Sequence, residues 1–443
     1  MRQIARSVLR PLLRPVVETF PVAAMAAILS GPALAGDPGT GETIDWLASY
    51  TGEAAANPSG GMRQGSAYAG QILLGADVNL NNAVDWSGAT LHVAAVNRHG
   101  SNLAAQYLGS TTSLQEIYGA QNTRLARFTV EQSLMDGRLV VEGGRTVANI
   151  SFLGSSLCAN FQINSACGNP TFVFKTSSFT WWPVSSWGAH ATAWLTPTVY
   201  LHAGAYEVNP SHQSSTEHGF DWGTATATGA IAPMALGYQT TFATDRLPRK
   251  YEIGGWYDGA DYTDPLRDAS GRAAVVSGQP NATLNGRSGV FFRFEQMVLR
   301  PDDTSQRGLT LFGVAMTGTG GRLIEDHFLE LGLVQRGTFA GRDDDTIGFV
   351  VNQQKYSHDA LEALRLARAA AGGSGTPADD QIMMELSYGV QLDHAIRIQP
   401  NLQYVIHPDQ FSDPARLHDA PNAFVIGLRF DVDIAGLMRG RSL

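Results

Sequence analysis

Residues 381–406, QIMMELSYGVQLDHAIRIQPNLQYVI, decide the fold. From Ile382 every second residue is apolar (Ile382, Met384, Leu386, Tyr388, Val390, Leu392), set against Met383, Glu385, Ser387, Gly389 and Gln391. After a turn at Asp393-His394, Ile396, Ile398, Leu402, Tyr404 and Ile406 alternate with Arg397, Gln399, Asn401 and Gln403. The pattern returns in Phe424, Ile426, Leu428, Phe430 and Val432 against Val425, Gly427, Arg429 and Asp431. Period-two alternation means strands with one greasy and one wet face. A soluble sandwich uses strands of about five or six residues. Strands of about ten residues with charge on the inner face suit a barrel that crosses an outer membrane.

Composition agrees. The 443 residues are 44% hydrophobic but only 16% charged, against about a quarter charged in an average soluble protein. After the leader, the chain has no run of the roughly 18 apolar residues that a membrane helix needs, and a barrel hides its membrane signal in alternation. The net charge of −9 argues against nucleic acid as a partner, since phosphate binding draws on released counterions. Lysine is confined to Lys175, Lys250 and Lys355, so arginine supplies nearly all positive charge.

Residues 1–35 read as an export signal: Arg2, Arg6, Arg10 and Arg14, then an apolar run from Val22 to Leu29, Gly31-Pro32, and Ala33-Leu34-Ala35 as a cleavage site. Residues 36–66 are polar and glycine-rich and are expected to form an N-terminal periplasmic segment, with 67–434 as the barrel and 435–443 as a tail. Asp136-Gly137 marks a tight hairpin turn. Connections alternate between short and long, as in outer-membrane barrels, and residues 259–287 are expected to be one of the long loops. Residues 358–371 have helical composition, with Leu361 and Leu364 expected to pack down. This reading yields fifteen strands. Bacterial barrels have even numbers, so a sixteenth is expected just before Tyr68.

Several stretches are similar to OprB-type carbohydrate-selective porins: MELSY at 384–388, IQPNLQYVIHP at 398–408, NAFVIGLRF at 422–430, GMRQG at 61–65, EQSLMDGRL at 131–139 and GGWYD at 254–258. The resemblance spans roughly residues 60–434. It implies an all-β, closed antiparallel transmembrane barrel of sixteen strands with long extracellular loops. The implied activity is passive diffusion of glucose-like sugars across the outer membrane of a Gram-negative bacterium. Small neutral sugars and outer-membrane lipid are then the partners, and a monomer is expected over a trimer. One departure stands out: the chain ends in residues 435–443 rather than on an aromatic residue, so Phe430 would be the internal counterpart.

A sugar channel needs side chains that replace part of a sugar's hydration, with binding weak enough to release. Arginine donors and carboxylate acceptors suit hydroxyls. Strand parity makes Arg127, Glu131, Glu142, Arg293, Glu295, Glu330, Glu385, Arg397 and Arg429 the inward candidates, and Arg145 is placed where the hairpin enters the 147–188 loop. Taken singly, each is more readily a salt bridge that keeps the barrel wall soluble, whereas some of the set must line the narrowest point. Trp181, Trp182 and Trp187 could stack on sugars if that loop folds inward, or belong to the aromatic belt at the membrane interface. Cys158 and Cys167 could close a disulfide in an exported protein. No cofactor or metal is expected, since no CxxC or Cys/His cluster occurs. Gly318–Gly321 lacks the strand–loop–helix setting of a nucleotide loop, and Asp343–Asp345 lacks Ca²⁺-loop spacing. The alternatives are a general or organic-acid-selective porin and a barrel enzyme built on residues such as His190 and His202, although no serine motif supports the latter.

Overall fold

The computed structural model describes residues 42–167 and 170–439; the expected leader lies outside them. Sixteen strands are present: β1 Ile44–Ser59, β2 Gly65–Asn79, β3 Ala89–Gly100, β4 Thr123–Leu134, β5 Leu139–Thr146, β6 Ser186–Trp194, β7 Val199–Val208 and β8 Gly229–Gln239, followed by β9 Arg249–Asp268, β10 Asn281–Leu299, β11 Gly308–Gly320, β12 Glu325–Arg336, β13 Thr346–Tyr356, β14 Asp380–Gln391, β15 Ile396–Ile406 and β16 Ala423–Asp433. Each pairs antiparallel with its sequence neighbours, and β1 pairs with β16 to close the barrel. Closure leaves no edge strand, which the bilayer demands because hydrocarbon offers backbone amides no partner. Among the described residues no helix is long and apolar enough to cross a membrane.

The alternation that opened the sequence is the wall itself. Leu386, Leu402, Tyr404, Ile426 and Leu428 face out and are exposed, whereas Glu385, Gln399, Asn401, Gln403 and Arg429 face in and are buried. The sixteenth strand is β1. Residues 44–59 therefore belong to the barrel and not to a periplasmic segment reaching 66. The outward face of β1 runs Ile44, Trp46, Ala48, Tyr50, Gly52, Ala54 and Ala56, so its large apolar residues stop at Tyr50 and only small ones follow. Its small residues serve the seam. Phe430 of β16 stacks on Tyr50 with ring centroids 5.7 Å apart, and a Cβ on Gly52 would collide with the Phe430 ring and the Tyr68 hydroxyl.

The expected loop 259–287 is a second correction. β9 and β10 run for 20 and 19 residues, far more than the roughly 9–11 a membrane strand needs. Most of that polar stretch is therefore ladder, with pairs such as Thr283 with Thr263 and Asn285 with Asp261. Backbone pairing needs no apolar side chains once the hairpin stands in water. The helix His358–Ala370 is capped by the Ser357 hydroxyl, which accepts from the Ala360 amide. Leu364 is buried as expected, but Ala360 and not Leu361 is its buried companion.

The short turns cluster at the barrel end where β1 begins and β16 finishes. There a helix, Ile434–Arg439, packs against β1, and Arg439 pairs with Asp45. At the other end, loops 101–122 and 147–185 fold into the barrel. Leu103, Leu108, Leu114, Phe161 and Ile163 pack against wall residues Phe312, Val334, Val350, Met383, Val405 and Val425. Apolar residues on the inner face, Met383 and Val425 among them, are thus covered by infolded chain and kept from water.

A candidate constriction between two chambers

Two cavities remain inside the barrel. The inner one, of about 330 Å³, reaches toward the short turns at Gln391, His394 and Asp433. The outer one, of about 570 Å³, is bordered by Asn209, Asp261, Tyr262 and Arg287. Both fall in the range of small-molecule sites. They touch four residues in common, Arg98, Asn164, Trp181 and Trp182, which makes these four the candidate for the narrow point.

Arg98 comes from the upper end of β3, where His92, Ala94, Val96 and Arg98 are buried in alternation. Its Nε donates to Gln71 Oε1 at 2.8 Å, which fixes the guanidinium against the wall. The other three residues come from loop 147–185, which the wall holds by its backbone. Glu385 accepts from the amides of Gln162 at 2.8 Å and Ile163 at 2.7 Å. The Ser387 hydroxyl donates to the Asn160 carbonyl at 2.5 Å, and Asn401 Nδ2 donates to Gln162 Oε1 at 2.7 Å. Arg397 reaches Asn160 Oδ1 at 2.8 Å. Charge-assisted bonds of this kind are the strong ones, and several on one loop hold it still. Trp182 packs on Leu47, Leu73, Val96 and Ala126, while its amide donates to Asn149 Oδ1 at 2.9 Å.

Loop 101–122 is held likewise. Glu53 accepts from the Ile117 amide at 3.2 Å, and Gln115 Nε2 donates to the Glu53 carbonyl at 2.9 Å. Arg429 lies between the loops, 3.0 Å from Glu53, 3.0 Å from Asp431 and 3.5 Å from Glu116. The inner chamber is lined by Arg98, Arg397 and Arg429 against Glu116, Asp431 and Asp433, so its formal charge cancels. A balanced lining gives little reason to favour either sign of ion.

The inward candidates fall into groups. Glu385, Arg397 and Arg429 come together beneath the infolded loop, and Arg397 and Arg429 also line the inner chamber. Arg127 and Glu142 form a buried pair at 2.8 Å, extended by Thr129 at 2.6 Å and His190 at 3.1 Å. Arg293 pairs with Glu252, and Glu295 accepts from the Ser155 hydroxyl at 2.6 Å. Glu131 is half-buried on β4, across from Glu142, and Glu330 is buried with its Oε2 unpartnered by protein. None of these six borders either chamber. Arg145 is fully buried and stands in ladder register with Phe128 and Trp187, on the outward side, where Nη2 donates to the Ser185 carbonyl at 2.9 Å.

The three tryptophans divide. Trp181 and Trp182 border both chambers, whereas Trp187 stands with Trp222 at the outer rim, its Nε1 donating to the Trp222 carbonyl at 3.1 Å and the rings edge-on at 5.5 Å. Cys158 is a buried free thiol, with Sγ 3.9 Å from the Ala166 carbonyl. The Cys167 side chain lies outside the described residues, and with it the expected bridge. Among the described residues no group of three or more His, Cys, Asp and Glu is arranged for a metal.

Sequence reasoning missed Arg98 and Asn164. Arg98 was legible, since the alternation of His92, Ala94 and Val96 reaches it in one further step and places it inside. Asn164 had no signal, because its position follows from how the loop folds.

A closed barrel crossed by chambers that meet at a polar and aromatic neck defines a diffusion channel of the outer membrane. The chain belongs to the carbohydrate-selective porin, OprB family, whose model matches residues 63–433. It is 28% identical over 400 residues to Porin B of Pseudomonas aeruginosa, covering 87% of this chain and 86% of that protein. The high-pH structure of Pseudomonas putida OprB superposes with a TM-score of 0.78 at 27% identity, over 91% of this chain and 99% of the other. Salmonella typhi OmpF in complex with daunomycin matches with a TM-score of 0.50 at 9% identity, over 88% of this chain and 97% of the other, a likeness of fold alone.

Proposed function

We propose that this carbohydrate porin passes neutral, glucose-like monosaccharides, and that the neck at Arg98, Asn164, Trp181 and Trp182 is where it selects them. The observation that carries the reading is that both chambers border these four residues. Arg98 and Asn164 offer groups that substitute for hydroxyl hydration, and two indoles offer flat apolar faces. The cancelled charge of the inner chamber disfavours the reading of a channel for organic acids, which would call for a net positive lining. No side chain is assigned a catalytic role.

The test is ion current through the purified porin in planar bilayers with glucose added. Glucose is expected to block the current in a saturable way, and Trp181→Ala to weaken block by about two- to tenfold, the range that aromatic contact energies imply. Block unchanged in that variant, or strong anion preference in the reversal potential, would contradict this assignment.

A further inference from the structure

The outer chamber holds an aromatic side chain that the neck does not explain. Phe174 sits on the short helix Pro170–Thr176 of the infolded loop. Its neighbours Phe172 and Val173 are fully buried in a core with Tyr206, Trp256 and Phe291, which docks the helix firmly. Phe174 is nonetheless 55% exposed and borders the outer chamber. A large apolar ring held open to water, away from the lipid face, points to something that covers it.

The ring is not isolated. Phe174 meets Trp181 edge to face, with centroids 6.1 Å apart and planes at 73°. Trp181 borders both chambers, so Phe174 extends the aromatic lining of the neck into the outer chamber. The adjacent Lys175 is committed elsewhere, to Glu325 at 3.2 Å and to Thr112 and Gln354 at 3.3 Å each, which leaves the phenyl face as what this part of the helix presents. Thr180, Asn209 and Asp261 border the same chamber and supply hydroxyl, amide and carboxylate groups. An apolar face beside convergent polar groups is the make-up of a small-molecule site, and a pyranose, with one CH-rich face and a rim of hydroxyls, matches it.

We propose that Phe174 and the outer edge of Trp181 form an extracellular capture subsite for the apolar face of a pyranose, occupied before the sugar reaches the neck. This rests on the carbohydrate-channel reading. Because the subsite lies on one side of the neck, it acts on entry from outside and leaves entry from the periplasmic side alone.

The test uses the full-length porin, oriented in planar bilayers, with glucose added to one side at a time and association rates taken from current noise. In Phe174→Ala the association rate from the extracellular side is expected to fall by about two- to tenfold, with the rate from the periplasmic side and the sugar-free conductance unchanged. Phe174→Tyr, which keeps the ring, should restore the outside rate. Equal rates from outside in Phe174→Ala and the unsubstituted porin would overturn the subsite, as would an equal loss from both sides. Absence of glucose block from either side in the unsubstituted porin would instead overturn the sugar-channel reading beneath it.

Discussion

Glu385 shows how a residue can read as one thing and serve another. Parity put it inside the barrel, where a carboxylate suggests a ligand for sugar hydroxyls. Its oxygens instead receive the amides of Gln162 and Ile163, so it positions the loop that carries the neck. Hydrogen bonds to charged groups contribute about 1.5–3 kcal/mol each. Glu385→Gln keeps one acceptor oxygen and brings an amide donor toward two donors. Open-channel current noise is therefore expected to rise as the loop samples other positions, while the temperature at which the barrel unfolds in detergent moves little, because the strand ladder is untouched. Quiet current at the original conductance would show that Glu385 does not hold the loop. Arg98 teaches the converse: a neck residue was one alternation step away from being read.

Among the elements, unbroken runs of large outward residues were the most legible. β14 to β16 announce themselves through Leu386, Tyr404 and Leu428, whereas on β1 the run of Ile44, Trp46 and Tyr50 gives way to Gly52 and alanines that leave room for Phe430. At that seam Phe430 packs on Tyr50, and the helix Ile434–Arg439 packs against β1. Gly52→Val would push into the Phe430 ring, and overpacking of this kind costs about 1–3 kcal/mol or more. The expected outcome is a lower yield of folded barrel and earlier unfolding on heated gels, whereas a Val at outward-facing Ala48 is expected to be tolerated. Equal behaviour of the two variants would contradict the seam account. The infolded loops were the least legible elements, because their lengths and tryptophans showed in the sequence but their direction did not. Met383 and Val425 hinted at it, as apolar residues on a face meant to be wet, and the loop side chains that cover them are far away in sequence.

For the whole molecule, closure and an even strand number follow from the bilayer, while periodicity read fifteen of the sixteen strands. What periodicity could not give is the filling of the barrel, which turns a wide tube into two chambers and a neck. All four residues of that neck come from this one chain, so each barrel carries its own complete neck. Selection by a partly aromatic neck above a charge-balanced inner chamber is the central claim, and liposome swelling tests it most directly. Vesicles carrying the porin should swell faster in glucose than in gluconate, which has nearly the same size but carries a carboxylate. Equal rates, or faster swelling in gluconate, would contradict the account.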